Sequence, residues 1–204
     1  MIDIVCSTDT NYVMPTGVMM TSVCENNRDE EITFNVLIDD SITERQKKVL
    51  TAVVSRYRGK HVRFYVIDDN AFEAYPKIGD YSPHITKATY YRLIIEAILP
   101  QATDKVLYLD CDIINTAPLS DLWNMDLADH PIAAVSDMDE SDKERYKWLG
   151  YPPELGYFNA GVLLINLKYW REHGMAAVFA DFMKNHADKI RFVSTQLLFR
   201  RSNI

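Results

Sequence analysis

Glycine and proline are sparse in these 204 residues, seven and eight in number, which excludes collagen-like and linker-dominated chains. Cysteine is scarcer still. Cys6, Cys24 and Cys111 are odd in number and show no C-x-x-C spacing, so neither a disulfide framework nor a zinc knuckle is expected, and reduced thiols fit a cytoplasmic protein. Long apolar runs are missing too. Stretches such as Val162-Leu163-Leu164-Ile165 fall far short of the ~18 residues that a membrane span needs. The opening Met1-Ile2-Asp3-Ile4-Val5 has neither the basic n-region nor the long apolar h-region of a secretory signal. Positive charge is in deficit: 22 Lys and Arg against 29 Asp and Glu leave a net charge of −7, which disfavours nucleic acid as a partner. What the chain does have is 48% hydrophobic residues, enough for an ordinary globular core.

Apolar runs alternate with helical patterns through the first two-thirds. Ile2–Ser7 reads as a buried strand, Tyr12–Asn26 as a helix, Ile32–Asp39 as a second strand, and Val62–Asp68 as a third. Between the last two, Val49, Leu50, Val53, Val54 and Tyr57 keep the spacing of an apolar helix stripe, with Ser41 or Thr43 as cap. This βαβαβ order predicts an α/β fold, a mostly parallel central sheet with helices on both faces. Pro76–Pro83 reads as loop, Ala88–Leu99 as a helix, Lys105–Leu109 as a strand, Leu119–Trp123 as a short helix and Ile132–Ser136 as a strand. A polar helix or lid over Asp139–Leu149, a strand over Gly161–Leu167 and a long helix over Tyr169–His186 complete the chain. With no repeat and no linker, residues 1–204 are expected to form one domain.

In an open parallel sheet, ligands bind at the carboxyl ends of the strands, and here strand after strand ends in acid: Asp9, Asp39, Asp68, Asp110 with Asp112, and Asp137. For Asp39 and Asp68, with their neighbours Asp40 and Asp69, capping of the next helix is the simpler reading. Asp110-Cys111-Asp112 is different, because it directly follows the apolar strand Lys105–Leu109. Positions i and i+2 of an extended segment face one way, so both carboxylates can reach one hard cation, Mn²⁺ or Mg²⁺, which keeps positions free for phosphate oxygens. A second D-x-D, Asp137-Met138-Asp139, shows how little the tripeptide means without its strand. The pattern also resembles loosely the D-x-D-x-T/V of haloacid-dehalogenase-like phosphatases, in which the first Asp is a nucleophile. The fifth residue here is Ile114, and the strand is not the first, so a metal-dependent phosphatase is the alternative rather than the leading reading.

Four segments in order sharpen the picture: Asp3–Tyr12, Tyr90-Tyr91-Arg92-Leu93, Lys105–Asp112, and Phe158-Asn159-Ala160-Gly161 running on to Leu167 and Trp170. Their order and spacing resemble glycosyltransferase family 8, retaining enzymes of the GT-A (Rossmann-like) nucleotide-diphospho-sugar transferase fold, which includes the bacterial lipopolysaccharide galactosyl- and glucosyltransferases. The resemblance runs from residue 2 to about residue 190. It implies a hexose transferred from UDP-glucose or UDP-galactose to a glycan or lipid-linked acceptor. Ser7, Thr8, Asp9, Asn11 and Tyr12 are then expected to line the uridine pocket. Asp110 and Asp112 would ligate Mn²⁺, and the Cys111 backbone would touch the ribose. Arg92 and Asn159 would hold the donor sugar, Asp137 would lie near it, and His84 and Ile85 would sit in a loop over the donor. Read without the family, Arg92 is a surface cation, Asn159 a turn former, Tyr12 and Tyr91 packing residues and Asp9 a helix cap.

The resemblance weakens after residue 193. Family members carry a D-Q-D segment and a later H-x-x-G-x-x-K segment that supplies a third metal ligand and a lysine for the diphosphate. This sequence has only Gln196 in Ser194-Thr195-Gln196-Leu197 and no histidine beyond His186. The expectation is a truncated or frameshifted form with little or no transferase activity, or a non-catalytic remnant that still binds nucleotide sugar.

Overall fold

The computed structural model describes residues 1–72, 87–138, 146–147, 154 and 157–185. Six strands form one sheet: β1 (Ile2–Thr8), β2 (Ile32–Ile38), β3 (Lys60–Val66), β4 (Lys105–Leu109), β5 (Ile132–Met138) and β6 (Tyr157–Asn166). Their order is β3-β2-β1-β4-β6-β5. β1 pairs in parallel with both β2 and β4, and β2 with β3, whereas β6 runs antiparallel to its neighbours β4 and β5. The sheet is mostly parallel, as the alternation predicts, with one reversed strand beside the acidic exit of β4.

Strand alternation separates two cores. On one face Ile4, Cys6, Phe34, Val36, Leu107, Leu109 and Leu164 are buried against α1 (Val13–Asn26) and α2 (Glu44–Val54). On the other, Val5, Leu37, Val106, Tyr108, Leu163 and Ile165 meet a 3₁₀ helix over Lys87–Ile94, α3 (Ile95–Ile98), α5 (Leu167–His173) and α6 (Met175–Asn185). The short α4 (Ser120–Trp123) follows the β4 exit. Both faces of β1 and β2 are covered, which is why those strands read as unbroken apolar runs. α2 begins at a reciprocal capping box: Gln46 N donates to Thr43 Oγ1, and Thr43 N to Gln46 Oε1. Of its expected stripe, Leu50 and Val54 are buried, but Val49 is 52% exposed because it turns off the sheet-facing side.

Two expected helices come out differently. Residues 88–99 are not one α-helix: Lys87–Ile94 winds as a 3₁₀ helix and only Ile95–Ile98 is α. Thr89, Tyr90 and Tyr91 are poor α formers, and the tighter winding turns Tyr90, Tyr91, Arg92 and Leu93 all inward. The long helix predicted over 169–186 is broken at Gly174, whose φ of 60° closes α5 in a left-handed cap before α6 starts. The strand expected from Gly161 starts earlier, at Tyr157, and β5 extends to Met138. The loop over 76–83 and most of the polar segment over 139–149 lie outside the described residues.

The break at Gly174 gives Glu96 its role. Its Oε1 accepts from Ala176 N at 2.7 Å, capping α6 where the helix dipole favours negative charge, while Oε2 is buried with no hydrogen-bond partner among the described residues. Burial pushes this carboxyl above its ordinary 4.5, ahead of the opposing pulls of the Ala176 N–H and Arg171. A raised carboxyl pKa contributes stability that is full below 4.5 and is lost as pH rises through the folded-state value. Glu96→Gln keeps an acceptor for Ala176 N and removes the buried charge. The expected result is a melting temperature that gains on wild type as pH rises from 4 to 7; a difference that stays constant over that range would show that Glu96 contributes no such pH dependence.

Candidate active site

The acidic strand exits converge at one end of the sheet, but they do different jobs. Asp39 Oδ1 accepts from Ser41 N at 3.0 Å, and Asp68 Oδ1 from Asn70 N at 3.0 Å. Both are turn formers. Asp9, 6% exposed, accepts at Oδ1 from Asn11 N at 2.8 Å and Tyr12 N at 3.2 Å, which closes the turn between β1 and α1. Beneath that turn Thr16 Oγ1 lies 2.8 Å from Thr8 Oγ1 and 2.7 Å from the Tyr12 carbonyl. Ser7 and Thr8 are buried, Tyr12 is half-buried and Asn11 is exposed. The outer side of the turn is braced by α2, through Gln46 Nε2 donating to Thr10 Oγ1 at 2.9 Å.

Asp110 is the centre of the arrangement. β4 ends at Leu109, and pairing persists for one more residue through Asp110 N, which donates to the Gly161 carbonyl at 2.7 Å. The chain then turns at Cys111 and Asp112. The extended geometry expected to align Asp110 with Asp112 therefore stops before the pair, and the turn, not the strand, sets where Asp112 stands: exposed, beyond half-buried Asp110. Arg92 reaches Asp110 from the 3₁₀ helix. Its Nη2 donates to Asp110 Oδ1 at 3.1 Å, Nη1 to the Ala160 carbonyl at 2.7 Å and Nε to the Thr89 carbonyl at 3.0 Å. The guanidinium also lies 4.6 Å from the centre of the Tyr108 ring. Arg92 is thus a buried, engaged cation rather than a surface residue, only 6% exposed.

Two participants escape a reading by residue type. Tyr108, two positions before Asp110 and on the same face, donates its hydroxyl to Asp110 Oδ1 at 3.0 Å. Burial pushes its phenol far up, so it stays a protonated donor. Strand alternation was the signal that could have found it. Gly161 is the second: a Cβ there would stand 2.8 Å from Asp110 Oδ2 and 3.0 Å from Asn159 Oδ1. Asn159 accepts from Gly161 N at 2.7 Å and is exposed beside Asp110, but it does so from within β6 rather than from a turn before it.

Cys111 points the other way, towards Cys6 and Thr16 under α1; burial, then the charges of Asp112 and Asp110, push its thiol up to about 12. Asn27 anchors the segment that follows, accepting from Leu119 N at 2.6 Å and donating to Asn115 Oδ1 at 3.0 Å. Asp137 is exposed on the edge strand β5, at a register irregularity between Ser136 and Met138 opposite Phe158 and Tyr157. A bulge there re-aims a side chain. His84, Ile85, Asp139 and Gln196 lie outside the described residues.

The donor set at the β4 exit is hard oxygen, suited to Mn²⁺ or Mg²⁺. Asp110 Oδ2, lodged over a glycine that a Cβ would crowd, and exposed Asp112 fit such an ion as two ligands. Among the described residues no group of three His, Cys, Asp or Glu could hold a metal, so the remaining positions fall to water, phosphate or residues outside that set.

A mostly parallel sheet with one reversed strand, paired acids at the β4 exit and a turn after β1 closed by Asp9 match the GT-A nucleotide-diphospho-sugar transferase fold. The sequence matches glycosyl transferase family 8 over residues 3–199, and the chain belongs to that family. It is 31% identical over 187 residues to General stress protein A of Bacillus subtilis (strain 168), covering 91% of this chain and 63% of the relative. It is also 31% identical over 180 residues to the lipopolysaccharide 1,3-galactosyltransferase of Salmonella typhimurium (strain LT2), covering 87% and 52%. Among solved structures, the galactosyltransferase LgtC in complex with donor and acceptor sugar analogs superposes with a TM-score of 0.84 at 32% identity, covering 99% of this chain and 70% of that one. The chain therefore spans between half and two-thirds of these two curated relatives' length. The family match also extends to residue 199, past the position where the motif resemblance thins. Membership in this family sets aside the phosphatase alternative. No helix among the described residues is long and apolar enough to cross a membrane.

Proposed function

We propose that this chain binds a UDP-hexose through the β1–α1 turn and, with Mn²⁺ at Asp110 and Asp112, transfers the hexose to a glycan or lipid-linked acceptor with retention at the anomeric carbon. The observation that carries the proposal is the half-buried, charge-paired Asp110 beside exposed Asp112 at the carboxyl end of β4, next to the Ser7–Tyr12 turn. Breaking the anomeric C–O bond puts negative charge on the departing diphosphate; a divalent cation, when bound, supplies the neutralising charge. The chain's own residues do the rest. Asp9 shapes the turn that receives the uridine, Arg92 fixes Asp110, and Asn159 and Asp137 face the sugar side.

A cytoplasmic location belongs to the same proposal and is supported by three free cysteines. The test is a calorimetric titration of UDP into the protein with and without Mn²⁺. Tighter binding with Mn²⁺, by about 100-fold or more, is expected; equal affinity in both buffers overturns the reading.

A further inference from the structure

Asp110 is held so that one of its oxygens is spent and the other is left over. Oδ1 accepts from the Tyr108 hydroxyl at 3.0 Å and from Arg92 Nη2 at 3.1 Å. Oδ2 stands over Gly161, where a Cβ would be 2.8 Å away. The final torsion of an aspartate is broad and roughly twofold, so by itself the side chain does not choose which oxygen it offers. The two donors and the missing Cβ choose for it.

We propose that Tyr108 and Gly161 are positioning residues for the cation site. The phenol pins Oδ1, and the bare Cα of Gly161 gives Oδ2 the space to face outwards as a single ligand oxygen. This rests on Asp110 being a metal ligand and adds how it is aimed. Arg92 shares Oδ1, but its other donors are committed to the Ala160 and Thr89 carbonyls, so it secures the backbone as much as the carboxylate. Among the described residues Asp110 is the acceptor to which the phenol donates, so fixing that carboxylate is the job its proton does in the fold. A partner behind a ligand typically changes metal affinity by about 10–100-fold.

The experiment compares the ratio of UDP affinities with and without Mn²⁺ in wild type, Tyr108→Phe, Gly161→Ala and Tyr65→Phe. Tyr108→Phe keeps the ring beneath Arg92 and removes one oxygen; Gly161→Ala crowds Oδ2 directly. Tyr65→Phe removes a phenol that donates to Asn35 Oδ1 at 3.3 Å elsewhere on the sheet. The ratio is expected to fall about tenfold in the first two and to keep its wild-type value in the third. A Tyr108→Phe protein that melts lower but keeps the wild-type ratio has lost only a structural contact, and overturns the inference while the metal reading stands. A wild-type protein with no Mn²⁺ effect removes that reading, and this inference with it.

Discussion

Asp110→Asn is expected to abolish the Mn²⁺-assisted component of UDP affinity, a loss of about 100-fold or more, at or above the top of the range for residues that only support a ligand. The geometry makes this isosteric change severe. Both groups on Oδ1, the Tyr108 hydroxyl and the Arg92 guanidinium, are donors, so an asparagine orients its carbonyl oxygen towards them. Its amide nitrogen is then left where Oδ2 stood, and a neutral donor cannot ligate a cation. Because the two hydrogen bonds survive, the variant is expected to fold and bind UDP without metal, which separates loss of the ligand from loss of structure. Asp139→Asn, in the second D-x-D, is the matched control and should keep the full Mn²⁺ response. A titration in which Asp110→Asn still responds to Mn²⁺, or in which Asp139→Asn does not, would place the cation elsewhere.

The sheet was legible because its strands are covered on both faces: Ile2–Ser7 and Ile32–Asp39 read as continuous apolar runs for that reason. Antiparallel β6 left no comparable mark, since direction has no compositional signature and Gly161–Leu167 is as apolar as any parallel strand. The two misjudged helices have different causes. Residues 87–94 carry a helical pattern of apolar positions, but tertiary packing of two tyrosines and a buried arginine favours the tighter 3₁₀ winding. At Gly174 periodicity continues on both sides while the left-handed glycine resets the axis. In the site, Asp110 was found by its strand context and Arg92 only through family resemblance, because a lone arginine on an amphipathic stretch most often faces water. Tyr108 lies inside the apolar strand that marks Asp110, and an apolar run registers its packed ring but not its hydrogen-bonded hydroxyl.

Replacing Arg92 should produce the largest loss of stability of any single change at the site. The side chain is 8% exposed and joins the 3₁₀ helix, β6 and the β4 exit. Arg92→Leu keeps much of the volume but strands the Thr89 and Ala160 carbonyls and leaves Asp110 with one donor. Breaking a buried pair costs about 3–5 kcal/mol; since the Asp110 side chain is 35% exposed, water recovers part of that, and about 2–3 kcal/mol is the expected loss. For a chain of this size that lowers the melting temperature by roughly 4–12 °C. Arg92→Lys should recover only a fraction, because an ammonium lacks the planar fork that meets three acceptors at once. The pair is coupled through one contact, so the Arg92→Leu, Asp110→Asn double variant is expected to be more stable than the sum of the two single losses predicts, by about 1 kcal/mol or more. An Arg92→Leu protein that melts within about 2 °C of wild type, less than 1 kcal/mol at this size, would mean that solvent satisfies these groups and that the guanidinium acts on ligand alone.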